Sequence, residues 1–442
     1  MKASNYNFFY DFPEEGKTLA YNSRTAALAL MEKDKYDSYQ KFQNENDITY
    51  LDAELIKQLK LGGFILDRDL SEIDIMKSRL LRNRYSTRQL GLTIATTLNC
   101  NLGCIYCYEK DFRNNKKMSQ EVLDKIVELV MNQAKGLDSL SVCWYGGEPL
   151  LDMNVIRFLS NKFMQICEEN KIEYSASIIT NGYRLDRSLA EELRGFKVFM
   201  AQVTIDGPKE IHDIRRPLVG GQPTFDKILD NIKETSDVLN ISLRINTDTT
   251  NKDELDDLLQ LIKNSDLKEK IHIYLGHVKN SNDCYSKNSC MTTKSFTELS
   301  YEFDEKVHNN GFHSGFYSFP NLTGPYCTAD SMNSMVLDPE GYIYNCWTEV
   351  GNVKDSYGSI VDESFEGNIN LRLEYLLFEP FNNDKCSSCK ILPVCMGGCP
   401  NSRVSGEDDR CSEYKYNLQK KLEDYATFLI KQSSMKEEHS II

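Results

Sequence analysis

The stretch GLTIATTLNCNLGCIYCYEK, residues 91–110, joins an apolar, β-branched run to three closely spaced cysteines. Residues 91–98 are typical of a buried strand, and Cys100, Cys104 and Cys107 follow that strand directly. Three thiolates are one fewer than a closed tetrahedral metal site or a fully protein-bound iron–sulfur cluster needs. The stretch therefore predicts a strand that ends in a metal centre with one coordination position open to a small molecule.

Strands and amphipathic helices alternate on both sides of this loop. Strands are predicted at 91–98, 140–145, 174–180, 198–205, 241–246 and 271–278, with helices near 119–135, 153–170, 186–195, 224–238 and 251–264. Such alternation predicts a parallel sheet with right-handed crossovers. The cysteine loop and the motifs GGEP, NGY and DGP each follow a strand end, and that rim is where (β/α) barrels build active sites. We therefore predict an α/β fold with a partial (β/α)6 TIM-like barrel.

The rest of the chain falls into three further segments. We predict a winged-helix-like module at 1–90, the barrel at 91–280, a bridging segment at 281–326, and a small C-terminal Fe–S cluster domain with a final helix at 327–442. The last segment is rich in cysteine and poor in apolar residues, so it needs metal to hold its fold.

Composition excludes several classes of protein. A net charge of −14 over 442 residues argues against nucleic-acid binding, which requires a basic surface. No signal peptide and no apolar run of about 18 residues is visible, so we expect a cytoplasmic protein without a membrane partner. Fourteen cysteines in such a protein favour metal ligation over disulfides. A local basic cluster, KSRLLRNRYSTR at 77–88, indicates either a solvated helix face or a dock for an acidic peptide.

The spacing Cys100-x3-Cys104-x2-Cys107, with Tyr106 before the last cysteine, resembles the radical S-adenosylmethionine (SAM) superfamily. The resemblance implies that SAM binds the open iron of a [4Fe–4S] cluster, and that its reductive cleavage yields a 5′-deoxyadenosyl radical that abstracts hydrogen. The cofactor carries the difficult step, and the protein supplies position and excludes water. An electron donor such as a flavodoxin or ferredoxin is an implied partner.

The same resemblance assigns the SAM contacts to the rim motifs. The predicted contacts are Tyr106, Gly146, Gly147, Glu148, Thr180, Asn181, Arg215, Arg216, Arg244 and Asn246. Gly146 and Gly147 would let the backbone approach the methionine amine. Either Arg215 or Arg216 would grip the SAM carboxylate, a choice that the sequence leaves open. Asp206 in TIDGP is the candidate catalytic carboxylate, with a plain turn as the alternative.

The C-terminal cysteines follow a second pattern, whose paired CxxC units alone would also suit zinc. Their order resembles the SPASM domain, which implies two auxiliary [4Fe–4S] clusters and three clusters in all. Cluster I would take Cys327, Cys346 and Cys399, and cluster II would take Cys386, Cys389, Cys395 and Cys411. Cluster I therefore either borrows an upstream cysteine, of which Cys284 and Cys290 are the nearest, or leaves an iron free for substrate.

The N-terminal 90 residues resemble recognition elements that capture the leader of a precursor peptide by β-augmentation, although a structural cap over the barrel is the alternative. The sequence thus predicts a radical SAM/SPASM maturase that abstracts hydrogen from a residue of a ribosomally made precursor peptide and closes a thioether or C–C crosslink. A dehydrogenase of a small molecule or of a protein side chain (sulfatase-maturing type) is the main alternative, and a non-enzymatic electron carrier is another. Sulfatase-maturing enzymes carry an aspartate base where this chain has Trp347, and Glu349 is two residues away.

Overall fold

A computed structural model describes residues 1–323 and 327–439, with side chains described to residue 432. The chain divides into two compact units. Unit 1 comprises Met1–Arg84, Phe316–Cys327 and Phe378–Ile442, and unit 2 comprises Tyr85–Gly315 and Thr328–Leu377. The predicted barrel segment lies within unit 2, whereas the predicted C-terminal domain is shared between the units. The four-segment division stays a prediction about sequence domains.

Unit 1 begins with a small sheet and three helices. Its strands are β1 (Lys2–Ala3), β2 (Asn7–Phe12), β3 (Lys17–Asn22), β4 (Ala27–Met31) and β5 (Ile65–Leu66), and its helices are α1 (Lys33–Glu45), α2 (Ala53–Gly62) and α3 (Glu72–Arg84). Strands β2, β3 and β4 form an antiparallel sheet in that order, and β1 pairs with β5. Asp52 caps α2 by accepting a hydrogen bond from the Leu55 N–H. Tyr39, Phe42 and Leu55 fill the core between the helices and the sheet.

Unit 2 contains a nine-stranded sheet. Its strands are β6 (Gln89–Thr97), β7 (Ser139–Gly146), β8 (Glu173–Thr180), β9 (Val198–Thr204), β10 (Asn240–Thr247), β11 (Ile271–His277), β12 (Ser334–Leu337), β13 (Tyr342–Tyr344) and β14 (Gly358–Ser359). Strands β6 to β11 are parallel and adjacent in sequence order, and β12 to β14 extend the sheet beyond β6. The predicted α/β class and the six barrel strands are confirmed, each within two residues of the predicted bounds.

Helices cover the outer face of this sheet. They are α4 (Gln120–Gln133), α5 (Met153–Asn170), α6 (Arg187–Gly195), α7 (Lys209–Arg215), α8 (Phe225–Thr235), α9 (Leu255–Lys263), α10 (Thr293–Asn309) and α11 (Ile369–Leu377). The apolar faces of these helices, other than α7 and α11, form one continuous core with alternate strand residues. The opposite strand face is polar: on β10, buried Leu243 and Ile245 alternate with half-buried Arg244 and Asn246. This inner face leads to the rim where the strands end.

Unit 1 is completed by α12 (Asp384–Ser387), α13 (Leu392–Cys395), α14 (Pro400–Val404) and α15 (Tyr414–His439). Leu418 and Leu422 of α15 pack with Leu19 and Tyr21 of β3, so the N-terminal sheet and the cysteine-bearing tail share one core. Within the described residues, no helix combines the length and apolarity that crossing a membrane would require.

Candidate active site

The first cysteine loop is fixed by backbone pairing with the segment after α7. The Gly103 N–H donates to the Pro217 carbonyl at 2.7 Å, and the Ile105 N–H donates to the Arg215 carbonyl at 3.1 Å. In the opposite direction, the Val219 N–H donates to the Asn101 backbone carbonyl at 2.9 Å. These three hydrogen bonds hold the loop through its backbone and do not involve its thiols.

The three thiols influence one another electrostatically. Burial raises the pKa of Cys100 to about 12, with the Glu148 carboxylate and Cys104 adding to the rise. Burial also raises the pKa of Cys104, while Arg216 lowers it and Cys107 raises it. Since cluster ligands are thiolates, metal binding here releases protons. The donor set of three neighbouring thiols fits one iron–sulfur cluster with an open iron.

Arg113 supplies a cation to this loop, and sequence reasoning missed it. One of its terminal nitrogens donates to the Leu102 carbonyl at 2.6 Å, and the other donates to Cys107 Sγ at 3.3 Å. The pKa of Arg113 is raised overall: burial lowers it, but Cys107 and Cys100 more than compensate. The guanidinium thus stabilises thiolates in the loop.

The two glycines of the GGEP loop allow a close approach of backbone to backbone. Gly146 has φ +113°, and a Cβ there would lie 2.3 Å from the Thr97 carbonyl oxygen. A Cβ on Gly147 would lie 2.4 Å from the Asn99 carbonyl oxygen. Both residues therefore pack this loop against the junction between β6 and the cysteine loop, which is a structural requirement separate from the predicted approach to SAM.

Glu148 is completely buried and joins neighbouring rim loops. Its carboxylate accepts hydrogen bonds from the Thr180 hydroxyl at 2.7 Å, the Asn181 N–H at 2.7 Å and the Leu150 N–H at 3.0 Å. Asn181 in turn donates through Nδ2 to Asn101 Oδ1 at 2.9 Å. Glu148, Thr180 and Asn181 thus come together beside the cysteine loop, and their direct contacts to SAM stay predictions.

The Tyr106 hydroxyl is the centre of a hydrogen-bond network on the opposite side. It donates to Asp206 Oδ2 at 2.5 Å and accepts from Arg216 at 2.6 Å and from Asn246 Nδ2 at 3.0 Å. Burial is the main cause that raises the pKa of Tyr106, so the phenol remains protonated. Four of the predicted site residues therefore meet at one oxygen atom.

Arg215 and Arg216 have different partners. Arg215 makes a bidentate ion pair with Asp248, at 3.2 and 3.0 Å, and its Nε lies 3.5 Å from Asp206. Arg216 has no carboxylate in ion-pair contact in the described part of the chain. The buried Nε atoms of both arginines lack a hydrogen-bond partner, so the two differ in their ion pairs. An uncommitted buried guanidinium suits a bidentate carboxylate. This arrangement selects Arg216, over Arg215, as the candidate for the SAM carboxylate.

Asp206 is completely buried and holds its neighbours. Besides Tyr106 and Arg215, its carboxylate accepts a hydrogen bond from the Asn246 N–H at 3.1 Å. The Asp206 N–H donates to His212 Nδ1 at 3.2 Å. The carboxylate therefore positions the rim side chains, and a catalytic role for it stays a prediction.

Asp248 and Asn251 also belong to this rim, although the sequence reading did not include them. Both are completely buried. Asn251 Nδ2 donates to the carbonyls of Asp206 and Asn246, at 2.6 and 3.0 Å. Their position just after β10 was the available signal, because the other rim motifs also follow strand ends.

The segment around Cys346 lies in unit 2. Trp347 directly follows the cysteine, at the position where sulfatase-maturing enzymes carry an aspartate base, and the nearby carboxylate belongs to Glu349. Glu349 accepts hydrogen bonds from the N–H groups of Asn345 and Cys346, at 3.1 and 2.9 Å, and from the Tyr375 hydroxyl at 2.6 Å. Burial raises the pKa of Glu349 to about 6. The Trp347 ring lies 5.2 Å from that of Tyr145. Glu349 therefore stabilises the turn that carries Cys346.

Four tail cysteines lie near one another in unit 1. Burial raises the pKa of both Cys386 and Cys395, and the Cys411 thiol adds to the rise in each. A Cβ on Gly398, which has φ +77°, would lie 1.9 Å from the Arg410 carbonyl oxygen, so only glycine allows the two segments to approach. This proximity is compatible with the predicted ligands of cluster II, which are Cys386, Cys389, Cys395 and Cys411. That ligand set stays a prediction.

The remaining predicted metal ligands are distributed over both units. Cys327 and Cys399 belong to unit 1 and Cys346 to unit 2, so their common cluster stays a prediction. Cys284 is buried beside the first loop, where its thiol donates to the Tyr106 carbonyl at 3.5 Å, and the Cys290 thiol donates to Ser286. In the part of the chain that the structure describes, no three Cys, His, Asp or Glu side chains are grouped so as to hold a single metal ion.

Several residues of the predicted basic cluster at 77–88 have partners within their own unit. In unit 1, Lys77 pairs with Glu379 at 2.8 Å, and buried Arg84 donates to the Phe378 carbonyl at 2.7 Å. In unit 2, Arg88 pairs with Asp138. Three of the five basic side chains, those of Lys77, Arg84 and Arg88, are therefore engaged in contacts within the fold. These contacts weaken the interpretation of the cluster as a dock for an acidic peptide.

Comparison with known proteins identifies relatives of this arrangement. Residues 94–262 match the family model of the radical SAM superfamily. A cysteine-type anaerobic sulfatase-maturating enzyme of Clostridium perfringens is 27% identical over 357 residues, which cover 72% of this chain and 91% of the relative.

Two solved structures are similar in fold. The structure of native anSMEcpe with bound AdoMet and Cp18Cys peptide covers 79% of this chain and 99% of its own, with a TM-score of 0.59 and 24% identity. Streptococcus suis SuiB bound to the precursor peptide SuiA covers 92% of this chain and 98% of its own, with a TM-score of 0.51 and 15% identity. The likeness thus extends over nearly the whole chain in the second case.

Proposed function

We propose, from the premise that the chain belongs to the radical SAM superfamily and carries a SPASM-type C-terminal region, that it is a maturase of a ribosomally made precursor peptide. The chain is an enzyme that uses SAM and a [4Fe–4S] cluster. In the proposed reaction it takes hydrogen from one residue of the peptide and closes an intramolecular crosslink, either a thioether or a C–C bond. The observation that carries the proposal is the network around the Tyr106 hydroxyl beside three rim cysteines, in a chain whose fold resembles two peptide-bound enzymes.

The rim residues fit the two cofactors. Cys100, Cys104 and Cys107 would hold the cluster, and Arg216, whose buried Nε lacks a partner, would bind the SAM carboxylate. The bound cofactors supply a 5′-deoxyadenosyl radical for hydrogen abstraction. Tyr106 and Asp206 hold Arg216 and Asn246 in place through the network described above, so the chain contributes orientation and exclusion of water.

The tail would hold two further clusters, which gives three [4Fe–4S] clusters in all. Crosslinking a thiol to a carbon removes two electrons and two protons from the peptide. The abstracted hydrogen atom would leave on 5′-deoxyadenosine, the thiol proton would go to a base or to water, and an auxiliary cluster held by the tail cysteines would accept the second electron. Three cysteines for cluster I leave an iron for a substrate thiolate, which favours the thioether over the C–C bond.

The N-terminal module would bind the leader of the precursor. In the sheet order β2-β3-β4, no strand of the described chain pairs with the outer edge of β2 or of β4. An extended peptide could add to either edge through backbone hydrogen bonds. A flavodoxin or ferredoxin would donate electrons, and the reduced cytoplasm suits a protein with so many thiolate ligands.

A sulfatase-maturing activity is the second candidate, because the C. perfringens relative bears that name and matches 91% of its own length. Glu349 is engaged by two N–H groups and Tyr375, and Trp347 occupies the position at which a base is expected. The local chemistry therefore favours crosslinking, while the sequence relationship favours oxidation of a single side chain.

Mass spectrometry of a precursor peptide co-expressed with the enzyme tests the proposal. A thioether removes two hydrogens, retains the sulfur and blocks alkylation of one thiol. Conversion of a cysteine to an aldehyde instead loses the sulfur and adds a carbonyl that reacts with hydrazine, which would establish the second candidate. An unmodified peptide, together with SAM cleavage that small molecules but no peptides stimulate, would contradict both.

A further inference from the structure

Arg244 lies on the polar inner face of the barrel. Its Cα partners are Thr204 on β9 and Tyr274 on β11. Its side chain lies across β11 at Gly276, where a Cβ would be only 2.3 Å from Arg244 Nε. Any larger residue at 276 would displace the guanidinium, so the arginine and the glycine form one structural unit.

The charge of Arg244 is uncompensated. Its Nε donates to Asn246 Oδ1 at 2.6 Å, and the guanidinium lies 5.9 Å from the centre of the Tyr274 ring. In the described part of the chain no carboxylate oxygen lies within 4.0 Å of it, and its two terminal nitrogens have no hydrogen-bond partner. The orientation of the guanidinium is thus fixed by neutral contacts, while its two terminal nitrogens remain available to donate hydrogen bonds to a ligand.

The surrounding wall is polar but neutral. The Tyr274 hydroxyl donates to Gln202 Oε1 at 2.6 Å, and Ser242 Oγ lies 3.5 Å from His272 Nδ1. Burial lowers the pKa of His272, so this histidine adds no charge at neutral pH. A half-buried cation without a counter-ion costs free energy, and this chain has 66 acidic residues from which a partner could come. Such an arrangement is expected where a ligand brings the anion.

We infer that Arg244 binds a carboxylate of the substrate, which makes the preferred substrate a peptide with an acidic side chain close to the residue that is modified. The inference rests on the proposed function. SAM also carries a carboxylate, but Arg216 contacts Tyr106 of the cysteine loop and has its own unpartnered nitrogen. Arg244 is therefore assigned to the substrate, instead of to the cofactor as the sequence pattern indicates.

Binding of two matched peptide pools to the cluster-loaded, SAM-bound full chain tests the assignment. Both pools have the form acetyl-X-X-Cys-X-X-amide, with X drawn from Gly, Ser, Asp and Glu in the acidic pool and from Gly, Ser, Asn and Gln in the neutral pool. Retention in equilibrium ultrafiltration, read by mass spectrometry, measures binding. We expect the wild-type enzyme to prefer the acidic pool by roughly 10- to 100-fold, as a charge-assisted hydrogen-bonded pair provides.

Three variants separate the explanations. Arg244→Gln should lose the preference, Arg244→Lys should keep part of it, and Arg194→Gln, which removes an arginine over Phe199 on the outer face, should keep all of it. SAM affinity, measured without peptide, should stay within about twofold in Arg244→Gln. Equal binding of the two pools by the wild-type enzyme would overturn the assignment alone. A loss of SAM affinity in Arg244→Gln would assign the arginine to the cofactor, and failure of both pools to bind would also overturn the assignment. Only an unmodified co-expressed precursor, leader included, would contradict the peptide substrate itself.

Discussion

The two cysteine-bearing regions of the chain are held in place by different means. The first cysteine loop in unit 2 is pinned by backbone pairing with residues 215–219 and by the Glu148 and Asn181 contacts, all independent of metal. The tail in unit 1 carries Cys386 on α12 and Cys395 on α13, helices of only four residues each, and carries Cys389, Cys399 and Cys411 outside its helices. Helices so short gain little stability from their own hydrogen bonds. This difference predicts that the proposed metal serves chemistry in the first region and structure in the second.

The largest effect is expected from replacing all three loop cysteines. Cys100→Ala, Cys104→Ala and Cys107→Ala together should reduce 5′-deoxyadenosine formation and peptide modification below detection, because no cluster remains to cleave SAM. The far-UV circular dichroism should be unchanged, and iron analysis should show that the tail still binds iron. Unfolding of the barrel in this variant would contradict the metal-independent loop.

The next largest effect tests the tail. Gly398→Ala would force a Cβ to within 1.9 Å of the Arg410 carbonyl at φ +77°, so we expect a loss of about 2–4 kcal/mol together with reduced tail iron. Gly406→Ala is the matched control: its φ is +73°, nothing lies within 4 Å of the added Cβ, and it should cost only about 1 kcal/mol. Equal losses in the two variants would show that the close approach is unimportant.

Tryptophan fluorescence can show whether the destabilisation caused by Gly398→Ala is limited to unit 1. Both tryptophans of the chain, Trp144 and Trp347, lie in unit 2. Urea unfolding of Gly398→Ala should therefore shift the circular-dichroism transition while it leaves the tryptophan-fluorescence transition in place. A joint shift would mean that the two cysteine regions are not energetically separate.

An intermediate effect is expected on the free energy of unfolding at acidic pH, through the buried His212 at the barrel rim. Burial, with help from Arg216 and Arg215, lowers the pKa of His212 well below its ordinary value, so the folded chain keeps this histidine neutral. The unfolded chain takes up the proton below about pH 6.5. The stabilisation from His212 is thus complete above that pH and falls by up to about 1.4 kcal/mol per pH unit below it.

Comparison with His212→Gln isolates this contribution. Asp338 and Glu349, whose pKa values burial raises to about 6, are present in both proteins and cancel in the difference. Tryptophan-monitored urea unfolding at pH 7.5 and 5.0 should show that the advantage of the wild-type chain shrinks with acidification. A constant difference would contradict a neutral buried imidazole.

The smallest effect is expected for the ion pair between Lys77 and Glu379 in unit 1. The two side chains are 38% and 27% exposed, so Glu379→Gln should cost less than about 1 kcal/mol. The cost should vanish in 1 M NaCl, where screening shortens the reach of charges to about 3 Å. A larger cost would indicate that this pair, rather than metal, fixes the tail.

The elements that follow from local physics were predictable. Apolar periodicity located the six parallel strands. The cysteine loop and the motifs GGEP, NGY and DGP, each of which follows a strand end, located the rim. Asp248 and Asn251 were missed because such residues in a loop read as ordinary turn formers. The choice between Arg215 and Arg216 depends on which of them receives the Asp248 carboxylate, which only three-dimensional structure decides. Both interpretations of the basic cluster stay predictions, although Lys77, Arg84 and Arg88 find partners that are distant in sequence.

Unit 1 is built from both ends of the sequence, and this discontinuity sets an order of biogenesis. Leu19 and Tyr21 find their packing partners Leu418 and Leu422 almost 400 residues later, so the N-terminal sheet must wait on the ribosome while the barrel segment emerges and folds. Domains fold as they are synthesised, at about 5–20 residues per second. Completion of unit 1 therefore comes last, and a nascent chain arrested before residue 418 would carry a formed barrel with an unfinished first unit.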